Sequence, residues 1–164
     1  KNKRPLVGPR GVYYTNYKDN DIYNKGAVVL HMLRKTIGEE EVFFKIIKRF
    51  ATEYGDQCVY TEHLMAVVNE ETGENYDWFF EQYAFRSEIP ELEYFFEGDS
   101  LKYMWDLETT NENFALPVHI YIGKDMRTIR PSNSLQGIKI EDPTIEQINF
   151  MADDFVVFAE NKKL

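Results

Sequence analysis

The sequence is poor in the residues that assemble most catalytic centres. It has one cysteine, Cys58, and three histidines, at positions 31, 63 and 119. One cysteine excludes an internal disulfide and leaves the redox compartment open. No activating sequence environment is visible around it, so Cys58 reads as a small buried or half-buried residue. The histidines form no HExxH, no HxH and no other pair at ligand spacing, so each reads as a solvated or locally hydrogen-bonded side chain. There is no P-loop and no GxGxxG. The serines of "PSNSLQG" lack a GxSxG setting, which makes that segment a turn. Cations are scarce as well. Lys and Arg number 19 against 28 Asp and Glu, giving a net charge of −9 and a pI of about 4.9. That balance argues against nucleic acid and against an anionic membrane surface, both of which are bound through clustered Lys and Arg. No apolar run approaches the roughly 20 residues of a membrane span, and no signal peptide is visible. The chain begins Lys1-Asn2-Lys3-Arg4, as a processed protein or a piece of a longer one would. The missing leader therefore says nothing about export, and the compartment stays open.

What is present is apolar and aromatic. Hydrophobic residues make up 43% and aromatics 15% of 164 residues, enough to bury a core in one domain or two small ones. The pattern changes near Pro90. Before it the period is helical; after it, apolar and polar residues alternate. Residues 1–17 form an irregular lead-in broken by Pro5, Gly8, Pro9 and Gly11. A first helix is expected over about 20–37, with Asp19 or Asp21 near its cap and Gly38 as its stop. Glu39, Glu40 and Glu41 open a second, favoured at the positive end of its dipole. Its core stripe is Phe43, Ile46, Ile47, Phe50 and Tyr54, with Lys45, Lys48 and Arg49 outside. Thr61 can cap a third helix, closed by Gly73, and a fourth covers about 76–85. From Glu91 onward about seven strands are expected, among them 92–96, "SLKYMWDLE" with Leu101, Tyr103, Trp105 and Leu107 on one face, "PVHIYIG", 128–130, "GIKIE" and "FVVFA". The fold class is α+β: a helical segment over 1–89, then a small antiparallel β-sandwich over 90–164.

Two features stand out against this background. The first helix, "DIYNKGAVVLHMLRKTIG", carries apolar residues on almost every side of its wheel, as helices inside larger bodies do. It also holds Gly26 in its first turns, where Gly costs about 1 kcal/mol relative to Ala. The acidic pairs Glu70-Glu71 and Asp153-Asp154 read as solvated helix ends and turns, and the aromatics of "YDWFFEQYAF" as packing. From the residues alone the chain contains no complete catalytic centre and no metal site.

The order of its pieces resembles the gluzincin aminopeptidases, the family of aminopeptidase N and leukotriene hydrolase. Tyr23, Lys25, Gly26, Ala27, Leu30, Leu33, Arg34 and Gly38 follow that family's Tyr-x-Lys-Gly element and the apolar helix ending in Leu-Arg…Gly. "FFKIIKRFATEY" resembles the next family helix. "YTEHLMAVVNEETGENYDWFFEQY" resembles the helical pair that usually ends in Phe-Phe-x-Gln-Trp, with Tyr83 here in place of the Trp. "SEIPELEY" resembles the exit into the family's sandwich. The family's HExxH, its third ligand Glu and its Gly-x-Met-Glu-Asn motif are absent.

The resemblance implies the C-terminal portion of a zinc metallopeptidase: the tail of a thermolysin-like catalytic domain plus the sandwich, with the rest of the catalytic subdomain upstream. Zinc would belong to the parent and not to this chain. The parent would cleave N-terminal residues from peptide substrates, and the chain alone would be inactive. By the same match Tyr23 is the catalytic residue, donating a hydrogen bond to the oxyanion of the tetrahedral intermediate. A phenol suits that task, since an ordinary pKa near 10 keeps it a donor at neutral pH. Tyr14 and Tyr17 are the further candidates to line the substrate site. Where some relatives carry a second tyrosine, this chain has Lys18. Lys25 reads as a snorkelling or ion-paired side chain, and Gly26 as a place where another segment comes close. The competing reading is a binding module without chemistry, which exposed aromatics clustered on one sandwich face would favour.

Overall fold

Helical spacing before residue 87 and alternation after it produce four helices and then seven strands among the described residues. The computed structural model describes residues 4–8, 21–141, 144, 148–150 and 155–162. The chain forms two compact units, one ending at Ser87 and one starting at Glu88.

The first unit is helical. Helix α1 spans Asp21–Ile37, α2 Glu40–Tyr54, α3 Thr61–Thr72 and α4 Asp77–Tyr83. Gly38 (φ 75°) and Gly73 (φ 71°) stop α1 and α3 in the left-handed conformation that glycine adopts without a Cβ penalty. The Gly38 and Gly73 amides donate to Arg34 and Asn69 carbonyls. The third helix is not capped by Thr61, which is its first residue. Instead His63 Nδ1 accepts the Tyr60 amide at 3.0 Å, so the side chain of the first turn reaches back to the cap position. The core joins Val29, Met32 and Leu33 of α1 to Phe43 and Ile46 of α2, Val67 and Val68 of α3, and Phe79, Phe80 and Tyr83 of α4. Tyr83 is buried, with its ring 5.1 Å from that of Phe79. Burial pushes its hydroxyl far above the usual tyrosine range, so it stays neutral.

Two expectations change in this unit. Arg49 does not lie on the outer face. It turns toward α3, where it pairs with Glu70 and, at 3.0 Å, with Glu71, while Lys45 also reaches Glu71. The Glu70-Glu71 pair is therefore not simply solvated; the Glu71 side chain is only 9% exposed. Hydrogen bonds from Lys45 and then Arg49 hold its carboxyl below the usual range. A depressed carboxyl adds stability above its unfolded value of about 4.3 and loses it as pH falls through the folded value. Glu71→Gln should thus lower the melting temperature at pH 7, with a deficit that fades as the pH drops below 4. A pH series of thermal melts checks this, and a deficit independent of pH would show that charge is not the cause.

The second unit is the β-unit. Strands β1 (Glu91–Glu97), β2 (Ser100–Trp105), β5 (Gln136–Lys139) and β7 (Phe158–Asn161) form one sheet in the order β5-β2-β1-β7. Strands β3 (Val118–Ile122), β4 (Asp125–Ile129) and β6 (Ile148–Phe150) form the other, ordered β4-β3-β6. Alternation sets the register: Leu92 pairs with Trp105, Tyr94 with Tyr103 and Val118 with Ile129, and all six are buried. A hydrogen bond between Tyr94 and the Ile148 backbone links a strand of each sheet.

Three details depart from the alternation. Strand β7 pairs with β1 in parallel, so the larger sheet is mixed. It begins at Phe158, later than "FVVFA" suggests, because Phe155 is already buried ahead of it. Leu107 is exposed, since β2 ends at Trp105 and the chain turns after it. Cys58 is exposed too, in a wholly exposed loop between α2 and α3. Among the described residues no helix is long and apolar enough to cross a membrane.

Candidate functional site

Helix α1 presents two unlike faces. Val29, Met32 and Leu33 are buried, whereas Tyr23, Ala27 and Leu30, spaced by four and three residues, share one exposed row. Tyr23 is 63% exposed, Val28 42% and Leu30 38%. The apolar character on nearly every side is thus real, but only one stripe is covered within the described residues. Tyr23 opens the exposed row in the first turn of α1, at the positive end of the helix dipole.

The start of α1 is held from the other side. Lys25 Nζ donates to the Arg4 carbonyl at 3.0 Å and makes a longer contact, 3.5 Å, to the Arg86 carbonyl. The Val7 amide donates to the Ala84 carbonyl at 2.9 Å, tying the same two segments together. In these two contacts Lys25 binds backbone oxygens. Among the described residues, a Cβ placed on Gly26 would meet only Leu6 Cδ1, at 3.9 Å, an ordinary contact. Gly26 is thus not demanded there by a close approach. An apolar cleft of about 340 Å³ opens beside it, lined by Leu6, Gly26, Leu30, Leu33, Tyr60 and Leu64 among others. Tyr23 is not in its wall.

The remaining candidates that fall among the described residues form no shared site. Tyr14 and Tyr17 lie outside the described residues, as do Lys18 and the Asp153-Asp154 pair. His31 is exposed on α1. His63 caps α3 and stacks on Tyr54 with ring centroids 5.0 Å apart. His119 Nδ1 lies 2.8 Å from Thr128 Oγ1 across the β3–β4 ladder. Among the described residues no group of three His, Cys, Asp or Glu side chains is placed to hold a metal ion. "PSNSLQG" is a turn in which the Gln136 side chain accepts the Ser132 amide at 2.9 Å. A carboxyl pair that the sequence did not announce stands in the β-unit. Burial, and then a hydrogen bond with Glu160, hold Glu91 above the usual carboxylate range. Lys162 pairs with Glu93 and lies 3.9 Å from Glu160, so the group reads as closure of the β1–β7 edge.

Residues 13–83 match the model of the peptidase family M1 domain. Over this stretch, less than half of the chain, the sequence is similar to M1 peptidases. The M1 stretch contains α1 to α4 and with them Tyr23 and Lys25. No curated protein sequence matches the chain. Among solved structures it is similar to the crystal structure of Legionella pneumophila aminopeptidase A in complex with aspartic acid, with a TM-score of 0.70 and 14% identity. That match covers 99% of this chain and 20% of the Legionella protein. At this identity the likeness is one of fold, and it extends through the β-unit beyond the M1 stretch. The chain spans about one fifth of the length of that relative.

Proposed function

We propose that the chain belongs to a zinc-dependent M1 metallopeptidase, an aminopeptidase that hydrolyses N-terminal residues of peptides, to which it contributes Tyr23 and scaffold. The observation that carries the reading is Tyr23 at the exposed start of α1, inside the M1 stretch and at the tyrosine of Tyr-x-Lys-Gly. In this reading the helical residues 1–89 end the catalytic domain and residues 90–164 form the accompanying β-sandwich. The open row of Tyr23, Ala27 and Leu30 faces the rest of that domain.

The chemistry assigned to Tyr23 follows from its phenol. Hydrolysis turns a planar carbonyl into a tetrahedral centre bearing a negative oxygen. A donor aimed at that oxygen stabilises the transition state more than the ground state, which is what raises kcat. In this reading zinc is held by the upstream part of the catalytic domain, where it would supply Lewis-acid activation of the attacking water. A non-catalytic binding module is not favoured. Among the described residues of the β-unit, the exposed large apolar side chains are Leu107, Met126, Leu135, Val156 and Phe158, of which one is aromatic.

The purified chain is expected to retain no stoichiometric zinc and to release nothing from aminoacyl anilides. Metal analysis and a hydrolysis assay check this together. One tetrahedral zinc per chain, or turnover by the chain alone, would overturn the division of labour proposed.

A further inference from the structure

We infer that Lys25 is the positioning residue of the site, locking the rotation of the first turns of α1 and thereby the direction of Tyr23. The inference rests on the reading of Tyr23 given above. The first turn of a helix has no intrahelical partners for its amides and is its weakest part. An apolar anchor would ordinarily hold it down, yet α1 has no fully buried apolar side chain among residues 22–28. Ile22 is half-buried, Gly26 has no side chain, Ala27 and Val28 are exposed, and burial begins at Val29. Lys25 fills that gap. Its ammonium bridges the Arg4 carbonyl and the Arg86 carbonyl, 21 and 61 residues away in sequence, on two segments joined by the Val7–Ala84 hydrogen bond.

Residues two apart on a helix do not face each other, so Lys25 and Tyr23 point to different sides. A grip on one side fixes the angle at which the other side is presented. Within this chain Tyr23 is exposed, so the hold on the helix is made on the opposite side from it. The task needs a cation on a flexible stem with several donors, which is lysine, and the acceptors are main-chain oxygens that substitutions at positions 4 and 86 would not remove.

The test is a double-mutant cycle in the intact peptidase that carries this chain, with kcat and KM measured on a peptide substrate. Lys25→Met is expected to lower kcat by about 10- to 100-fold, the scale on which a small misplacement costs rate, with KM little changed. Lys25→Arg, which keeps the donors, should recover most of the loss. In a Tyr23→Phe background, Lys25→Met should cost nothing further, because the group it positions is gone. If Lys25→Met does not fold, Lys25→Gln takes its place in the cycle. Should Tyr23→Phe lower kcat while Lys25→Met or Lys25→Gln leaves it unchanged, the positioning role is wrong and the catalytic reading stands. Losses that add in the double mutant also overturn it. If Tyr23→Phe alone leaves kcat unchanged, the catalytic reading itself fails.

Discussion

Replacing Tyr23 by Phe in the intact peptidase should lower kcat by about 10²–10³, the effect of removing one oxyanion donor, equivalent to roughly 2.7–4 kcal/mol of transition-state stabilisation. KM should move little, because the hydroxyl is needed where charge develops and not where the substrate first binds. The fold should tolerate the change. Phe keeps the ring and removes only the hydroxyl, a near-isosteric change of the kind that folds usually tolerate. Steady-state kinetics beside a urea titration separates the two quantities. A kcat equal to that of the unaltered enzyme would remove Tyr23 from the mechanism, whatever the value of KM.

The largest effect on stability is expected at Trp105. Its side chain is fully buried in the β-unit and meets Phe114 edge to face, with ring centroids 4.9 Å apart. Trp105→Ala removes that contact and leaves a cavity, which costs about 3–5 kcal/mol. On a typical stability of about 5–15 kcal/mol that is enough to unfold a substantial part of the population on modest heating. Trp105→Phe should cost much less. Among the described residues the indole Nε1 has no hydrogen-bond partner, and an unsatisfied buried donor costs about 1–3 kcal/mol. Phe loses volume but also removes that donor. Urea unfolding of both variants, followed by circular dichroism, tests the pair. An alanine variant no weaker than the phenylalanine one would mean that packing around Trp105 is not what holds the sheets.

Much of the architecture is a consequence of spacing. The stripe Phe43, Ile46, Ile47, Phe50 leaves α2 no other conformation in which its apolar residues share a face. The alternation through Val118, Ile120 and Ile122 does the same for β3, whose three side chains are buried. Gly38 and Gly73 mark helix ends because a left-handed residue is needed there and glycine supplies it without strain. Spacing fails where a short apolar run has two ways to be buried. "FVVFA" satisfies a strand by composition, but Phe155 is used as a plug and pairing starts three residues later, at Phe158. Leu107 continues the alternation of β2 beyond the point where the chain turns away, and it ends in solvent.

The candidate site divides in the same way. Tyr23 became a candidate through the resemblance of its setting before Lys25 and Gly26 to the Tyr-x-Lys-Gly element, a local pattern that the chain carries in order. Its exposure could not be read there, since a wheel apolar on nearly every side does not say which side is covered. The partners of Lys25 are invisible to any window of sequence, because a backbone carbonyl belongs to every residue and only folding brings those of Arg4 and Arg86 to one ammonium. The same holds for Arg49. Its position on α2 reads as an outer face until α3 packs against it with Glu70 and Glu71, which are 21 and 22 residues away. The sequence by itself determined the helices, their glycine stops, the inward faces of the strands and the tyrosine at the head of α1, because those rest on periodicity and local order. Only the tertiary structure decided which face of α1 is open, what Lys25 grips and that β7 lies parallel to β1, because these contacts join residues far apart in the chain.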